Sequence, residues 1–416
     1  MTFPAPTGWG AMVPTMTDEQ RARIVQEVIR SFEGASLADL RGSRDKLMAR
    51  AIQGIAQQVT RMNCQTTPDE TQAMAQEVLA HIGGLGFLEP LLRIDAGLSE
   101  IAVTPYGGVW LQAKGAPAFE RAPINPSRTE VWRAVEVLLA PLGRSCSEAS
   151  PSVDAKIPRS PELPGGARVK ILHPVIAPGE GFPSINIRLF EPKPVLPEQI
   201  IRWNVAPAAV INALVELVGQ GMRVVVIGGT GSGKTTLLSA LCNGIPKSAR
   251  VVKIEDPEEI WLDHPHVVTL EARPAVIGSS VPAYTLTHGV RDAMRMSPKW
   301  LIVGEMRDGH AIKALFDAQM SDHPGLSTYH AEGPHAAVRR MALHLNNDLK
   351  LEDSGARDLF SQALDLIVQV GLRQGKRGIQ GVWEVEKELT DGKVTFRQLY
   401  APGDPQLAAP TIERRI

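Results

Sequence analysis

Cysteine is scarce in this chain. Cys64, Cys146 and Cys242 stand far apart and form no C-x-x-C pair. That excludes a disulfide framework and a cysteine zinc site, and it points to a reducing compartment. Aromatic residues make up only 5% of the chain, which fits an α/β protein better than a β-sandwich. No apolar run is long enough to span a bilayer. The opening stretch, MTFPAPTGWGAMVPTM, lacks the basic region and apolar core of a signal peptide, so residues 1–16 read as a flexible leader and the chain as cytoplasmic. An excess of charge is missing too: 44 Lys and Arg against 45 Asp and Glu leave a net charge of -1. Nothing draws the whole surface to nucleic acid or anionic lipid, and no direct nucleic-acid binding is expected. What remains is an ordinary globular composition over 416 residues, enough for two to three domains.

Residues 17–83 carry apolar side chains at helical spacing. Ile24, Val25, Val28, Ile29 and Phe32 form one set, and Leu47, Ala51, Ile52 and Ile55 another. Thr17 offers an N-cap with Gln20 three residues on, and Pro68-Asp69-Glu70 opens a further helix. Three short helices are expected. From Gly84 the texture changes to apolar–polar alternation around glycine turns, with paired strands at 101–103 and 109–112, a helix at 129–142 and strands at 168–172 and 184–188. Residues 84–190 thus form a small α+β domain. The proline-rich stretch 191–207 reads as a linker. Over 208–400 helices and strands alternate, which predicts a mostly parallel sheet covered on both faces. Residues 401–416 read as a disordered tail.

The most telling run is Gly228-Gly229-Thr230-Gly231-Ser232-Gly233-Lys234-Thr235, which fits G-x-x-x-x-G-K-[ST] between an apolar strand and a helix. Its glycines let backbone N–H groups turn inward around a polyphosphate, and the helix N-terminus adds its dipole. Gly229, Thr230, Gly231, Ser232, Gly233, Lys234, Thr235 and Thr236 are the expected nucleotide contacts. Lys234 would reach the β- and γ-phosphates of ATP, and the Thr235 hydroxyl would ligate Mg2+.

Two later strands end in acids. Residues 251–254 run into Glu255-Asp256-Pro257-Glu258-Glu259, and 300–304 run into Glu305. Carboxylates at the C-terminal ends of parallel strands face the ligand crevice, where they can orient water or help to hold magnesium. Glu305 is the second expected magnesium ligand. His323 and His330 flank small polar residues. With no third ligand at metal spacing they do not form a zinc site.

The order of GGTGSGKTT, IEDPEE, RMSPKWLIVGEMRD and HPGLSTYHAE resembles the type II and type IV secretion and pilus ("traffic") ATPases. IGGLGFLEPLLRIDAGLSEIAV, PSVDAKIPRSPELPGGARVKILHPVIAPGEGFPSINIRLF and LDLIVQVGLRQGKRGIQGVWEV extend the likeness over roughly residues 84–400, and the absent tetracysteine element favours the conjugation-type and tight-adherence (Flp) pilus branch. The resemblance implies a RecA-like C-terminal domain, an N-terminal domain over it, and a homo-hexameric ring that hydrolyses ATP. It implies peripheral placement at an inner membrane through platform or secretion-channel proteins, with the helical segment as a candidate docking element. Carried over by position, Glu255 is the general base with Glu259 as runner-up, Glu305 the Walker B glutamate, and His323 and His330 the His-box pair. Arg168 and Arg188 match N-terminal-domain arginines that contact phosphates, delivered by closure through the 191–207 linker. Arg291, Arg295 and Arg307 fall where the family has conformationally important arginines. The Ser321-Asp322 pair departs from the small residue and glycine that normally precede the first histidine. Two other readings stay open: a RecA-like DNA-dependent motor or partition ATPase, and a non-hydrolysing nucleotide-gated scaffold.

Overall fold

Thr17 caps the first helix as its sequence predicts. Its hydroxyl accepts the Gln20 N–H at 3.2 Å while the Gln20 side chain accepts the Thr17 N–H at 3.0 Å. The computed structural model describes residues 16–32, 44–83, 85–93, 96–116, 118–160, 163–275, 280–373 and 375–414. The expected leader, Met16 excepted, lies outside them. The chain divides into two compact units, Met1–Phe190 and Glu191–Ile416. Among the described residues no helix is long and apolar enough to cross a membrane.

In the first unit, helices α1 (Asp18–Arg30), α2 (Arg44–Arg61) and α3 (Pro68–Gly83) share a small core of Ile24, Val25, Val28, Ala51, Ile55, Met74 and Val78. Ile52, expected in that core, is 37% exposed. A short helix α4 (Glu89–Leu92) leads into a six-stranded antiparallel sheet ordered β3-β2-β1-β6-β5-β4. Its strands are β1 (Leu98–Val103), β2 (Val109–Ala113), β3 (Glu120–Arg121), β4 (Ser152–Ile157), β5 (Ala167–Leu172) and β6 (Ser184–Leu189). Helix α5 (Arg128–Leu139) packs Val131, Ala134, Val135 and Leu138 with Val169, Ile171, Ile185 and Ile187. Because strand side chains alternate, Arg168 and Lys170 of β5 and Asn186 and Arg188 of β6 take the opposite face.

The second unit opens with α6 (Pro197–Arg202) and α7 (Ala208–Gly219). Residues 191–207 are not a free linker: Val195, Ile200 and Ala206 are buried in this unit's core. Apolar side chains spaced between the prolines anchor a stretch whose proline content suggested a tether. An eight-stranded sheet follows, ordered β14-β13-β12-β7-β11-β10-β8-β9. Strands β7 (Val224–Ile227), β8 (Val251–Glu255), β9 (Val267–Glu271), β10 (Trp300–Val303), β11 (Gly325–Tyr329) and β12 (Leu366–Arg373) run parallel, and β13 (Lys376–Val385) and β14 (Phe396–Tyr400) complete it antiparallel. Val224 and Val226 join one core with α7 and α8 (Lys234–Leu241). Val225 and Ile227 join another with α9 (Leu286–Ala293), α10 (Gly309–Met320), α11 (Pro334–Leu349) and α12 (Asp353–Ala363). Burial on both faces explains the continuous apolar strands.

The expected disordered tail is also corrected. Leu407 and Ile412 pack on the core, the Thr411 and Ile412 N–H groups both donate to Glu384 at 2.7 Å, and Arg414 binds Asp365. Asp365 is fully buried, with Arg223, Lys387 and Arg414 each 2.8 Å away. Two buried carboxylates thus provide the anchor that the tail's own composition did not suggest.

Candidate functional site

The phosphate loop sits where β7 hands over to α8. Gly231 (φ 69°) and Gly233 (φ 96°) take left-handed backbone that other residues rarely adopt. At Gly228 the reason for glycine is contact: a Cβ there would lie 2.3 Å from the Val370 carbonyl of β12. Lys234 folds back, donating to Gly228 O at 3.1 Å and Gly229 O at 2.9 Å. Gly229 and Thr230 are exposed, Thr235 and Thr236 half-buried in the first helical turn. Ser232 is 6% exposed, and its hydroxyl oxygen is buried without a hydrogen-bond partner. A bare loop of amides, an unsatisfied hydroxyl and a lysine held by carbonyl oxygens fit a polyphosphate.

Parallel strands bring their C-terminal ends to one edge, so the loop after β7, His330 after β11, Glu305 after β10 and Glu255 at the end of β8 share it. Arg307 crosses this edge. Its Nε donates to Glu305 at 2.9 Å and its Nη1 to Asp256 at 3.1 Å. Burial works against the Arg307 charge, but Glu305, Asp256 and Glu259 outweigh it and hold the guanidinium above its usual range.

Glu255, the expected general base, is enclosed. It is 2% exposed, its Oε1 accepts the N–H groups of Glu259 (3.1 Å) and Ile260 (3.0 Å), and its Oε2 lies 2.8 Å from Lys253 Nζ. Burial pushes this carboxyl up, while Lys253 and the two N–H donors pull it down. Oε1 thus ties the turn, while Oε2 is buried with no hydrogen-bond partner and has only the Lys253 ion pair beside it. Its stem also explains Gly304, where a Cβ would approach Glu255 Cγ to 3.0 Å. Glu259, four residues on, is half-buried and acts on Arg307.

His323 and His330 are parted. His330 follows the C-terminal end of β11, whereas His323 precedes its N-terminal end and its Nδ1 lies 3.1 Å from Pro298 O. A five-residue strand spans about 17 Å, so His323 is not on the loop edge. Arg291 lines a cavity of about 240 Å³ between α9 and α10. Arg295 lies after α9 and before β10, at the opposite strand ends. Arg168 and Arg188, in the first unit, are direct cross-strand neighbours. Like charges placed opposite each other repel, and the sheet supplies counter-charge: Asp154 lies 3.9 Å from Arg168 and Glu100 stands opposite Arg188.

Two residues of this edge escaped sequence reasoning. Arg377 of β13 donates from Nε to Gly231 O at 3.0 Å; that contact joins distant segments and leaves no local pattern. Lys253 did leave a signal, a lysine inside the apolar run 251–254.

A phosphate loop at the switch between β7 and α8, with acids at the ends of neighbouring parallel strands, defines a RecA-like P-loop fold. The chain belongs to the type II/IV secretion ATPase family: the family described as type II/IV secretion system protein matches residues 151–374. An uncharacterized protein of Methanocaldococcus jannaschii is 33% identical over 285 residues, 68% of this chain and 48% of that protein, so the chain spans about half of that relative's length. A putative conjugal transfer protein of Mycobacterium tuberculosis is 27% identical over 348 residues, covering 79% of this chain and 97% of the relative. The solved pilus retraction motor PilT with bound ADP shares the fold at a TM-score of 0.55 and 19% identity, over 74% of this chain and 82% of that one.

Proposed function

We propose that this chain is a magnesium-dependent ATPase that works as a homo-hexamer to power a secretion, conjugation or Flp-type pilus machine. The observation that carries the reading is the shared edge, where the ends of three strands bring the phosphate loop, Glu305 with Arg307, and Glu259 to one side of a single sheet. The loop amides and Lys234 hold the phosphates, and Thr235 and Glu305 are the protein ligands for Mg2+, which supplies charge neutralisation at the transferring phosphoryl group. Among the described residues no cluster of three or more His, Cys, Asp or Glu could cage a metal. That suits an ion held largely by its nucleotide.

Glu259 orients the attacking water, because Glu255 is enclosed. Arg307 ties the two acid-bearing strand ends together. The partners are platform or channel proteins that hold the ring at an inner membrane from the cytoplasmic side. The Mycobacterium conjugal-transfer relative supports a conjugation-type machine.

Size-fractionated protein, assayed for magnesium-dependent ATP hydrolysis, tests the reading. Turnover confined to a hexameric fraction is the expected result. Turnover by the monomer, or by no fraction, would contradict it.

A further inference from the structure

Five acids crowd the ends of β8 and β10, and two cations divide them. Arg307 takes Glu305 (2.9 Å) and Asp256 (3.1 Å), with the Glu259 charge also acting on it. Lys253, which no step above uses, takes the other two. Its Nζ lies 2.8 Å from Glu255 and 2.9 Å from Glu258, and it also donates to Ile260 O. Lys253 is 1% exposed, in a strand whose Val251, Val252 and Ile254 are fully buried. An ion pair at such depth costs more desolvation than an apolar side chain of the same size, so stability alone is a poor reason for a lysine here. Its geometry offers a better one. Lys253 grips the residue that opens the acidic turn, the carbonyl of the residue that closes it, and one acid between. Glu255, held on one side by Lys253, accepts from its other oxygen the two N–H groups that end the turn.

We propose that Lys253 is a positioning residue of the nucleotide site. It draws Glu255 and Glu258 inward, so that Asp256 and Glu259 alone of this turn are left to face Arg307. The proposal rests on the ATPase reading for its consequence, but its structural part is independent of turnover. With the ammonium removed, Glu258 is released to compete for Arg307 and for the metal, and the Glu255 grip on the Glu259 and Ile260 amides loosens. Lys253 acts through these carboxylates and touches no substrate.

The test uses the full chain with two readouts, amide hydrogen exchange of residues 259–260 and steady-state ATP hydrolysis. Lys253→Met is expected to exchange these amides at least tenfold faster and to lose at least tenfold in kcat, with MgADP affinity within twofold of the parent. A neutral variant, Lys253→Met with Glu255→Gln and Glu258→Gln, keeps the acceptor for both amides and leaves no acid to stray; it is expected to regain protection and to return kcat to within threefold. Unchanged exchange in Lys253→Met would overturn the proposal, as would a kcat loss matched by an equal loss of affinity. A neutral variant no better than the single one would overturn it too. If Lys253→Met does not fold, the neutral variant decides: protected amides with kcat still depressed tenfold contradict the proposal, and near-parental kcat supports it. A parent with Lys253-dependent amide protection but no hydrolysis would sink the ATPase reading and leave the positioning role standing.

Discussion

Arg307 reaches 51 positions back along the chain to Asp256, donating from Nη1 to Oδ2 at 3.1 Å. The same guanidinium binds Glu305 through Nε, so one side chain joins the two acid-bearing strand ends. Both ion pairs are 35–44% exposed, and pairs in that setting contribute little to stability, about 0–1 kcal/mol. Arg307→Ala should therefore leave the melting temperature nearly unchanged while lowering kcat by about a hundredfold, the scale for losing one charge-stabilising donor. Equal losses of stability and activity would show that Arg307 is a structural tie only.

Gly228 meets the Val370 carbonyl at a distance that leaves no room for a methyl group. Gly228→Ala should push the loop off β12, destabilising the chain by about 1–3 kcal/mol and weakening nucleotide binding. Calorimetry with MgADP, read beside a denaturant titration, checks both. Full affinity in a stable Gly228→Ala variant would show that the loop can shift without penalty.

Asp365 answers three cations while fully buried. Asp365→Ala leaves Arg223, 6% exposed in its side chain, without its carboxylate. Breaking a buried pair in this way costs about 3–5 kcal/mol. Urea denaturation reads the loss, and a change below about 1 kcal/mol would mean that water or other acceptors replace the carboxylate.

The tail anchor at Glu384 should depend on pH. Burial raises this carboxyl, but the Thr411 and Ile412 N–H groups, the Thr411 hydroxyl and Arg397 outweigh it and hold the group below the ordinary 4.5. An acid whose folded value is depressed contributes stability that is complete above the unfolded value and is lost as pH falls through the folded one. The hydrogen-exchange protection factors of residues 411–412, with the intrinsic pH dependence of exchange divided out, should thus be constant at neutral pH and fall below about pH 4.5. In Glu384→Gln the pH-dependent step should vanish. A step that survives in this variant would assign the titration to another group.

Much of this site was legible because its chemistry is local in sequence. The loop signature, the helix after it and the acids at strand ends each occupy a few consecutive residues, and the sheet order only had to bring them to one edge. What stayed hidden depends on long-range packing. The apolar–polar alternation of Ser152–Ile157 lies among prolines and glycines, and its strand emerges only from pairing with β5. The 191–207 stretch and the tail look like tethers by composition, yet Val195 and Ile200 in one, and Thr411 and Arg414 in the other, find buried partners far along the chain. His323 and His330 read as a pair because they are close in sequence, and a strand between them puts them at opposite ends. Glu255 and Glu259 are equivalent as letters in an acidic run. Burial, two backbone N–H donors and the Lys253 ammonium distinguish the first.

Steady-state phosphate release by the parent, Glu259→Gln and Glu255→Gln proteins, each saturated with MgATP, tests the central claim most directly. The expected result is turnover by the parent, a loss of at least about a hundredfold in Glu259→Gln with nucleotide still bound, and a smaller loss in Glu255→Gln, whose amide oxygen still accepts the two turn N–H groups. Undiminished turnover in Glu259→Gln, or a parent that binds MgATP and releases no phosphate, would contradict it.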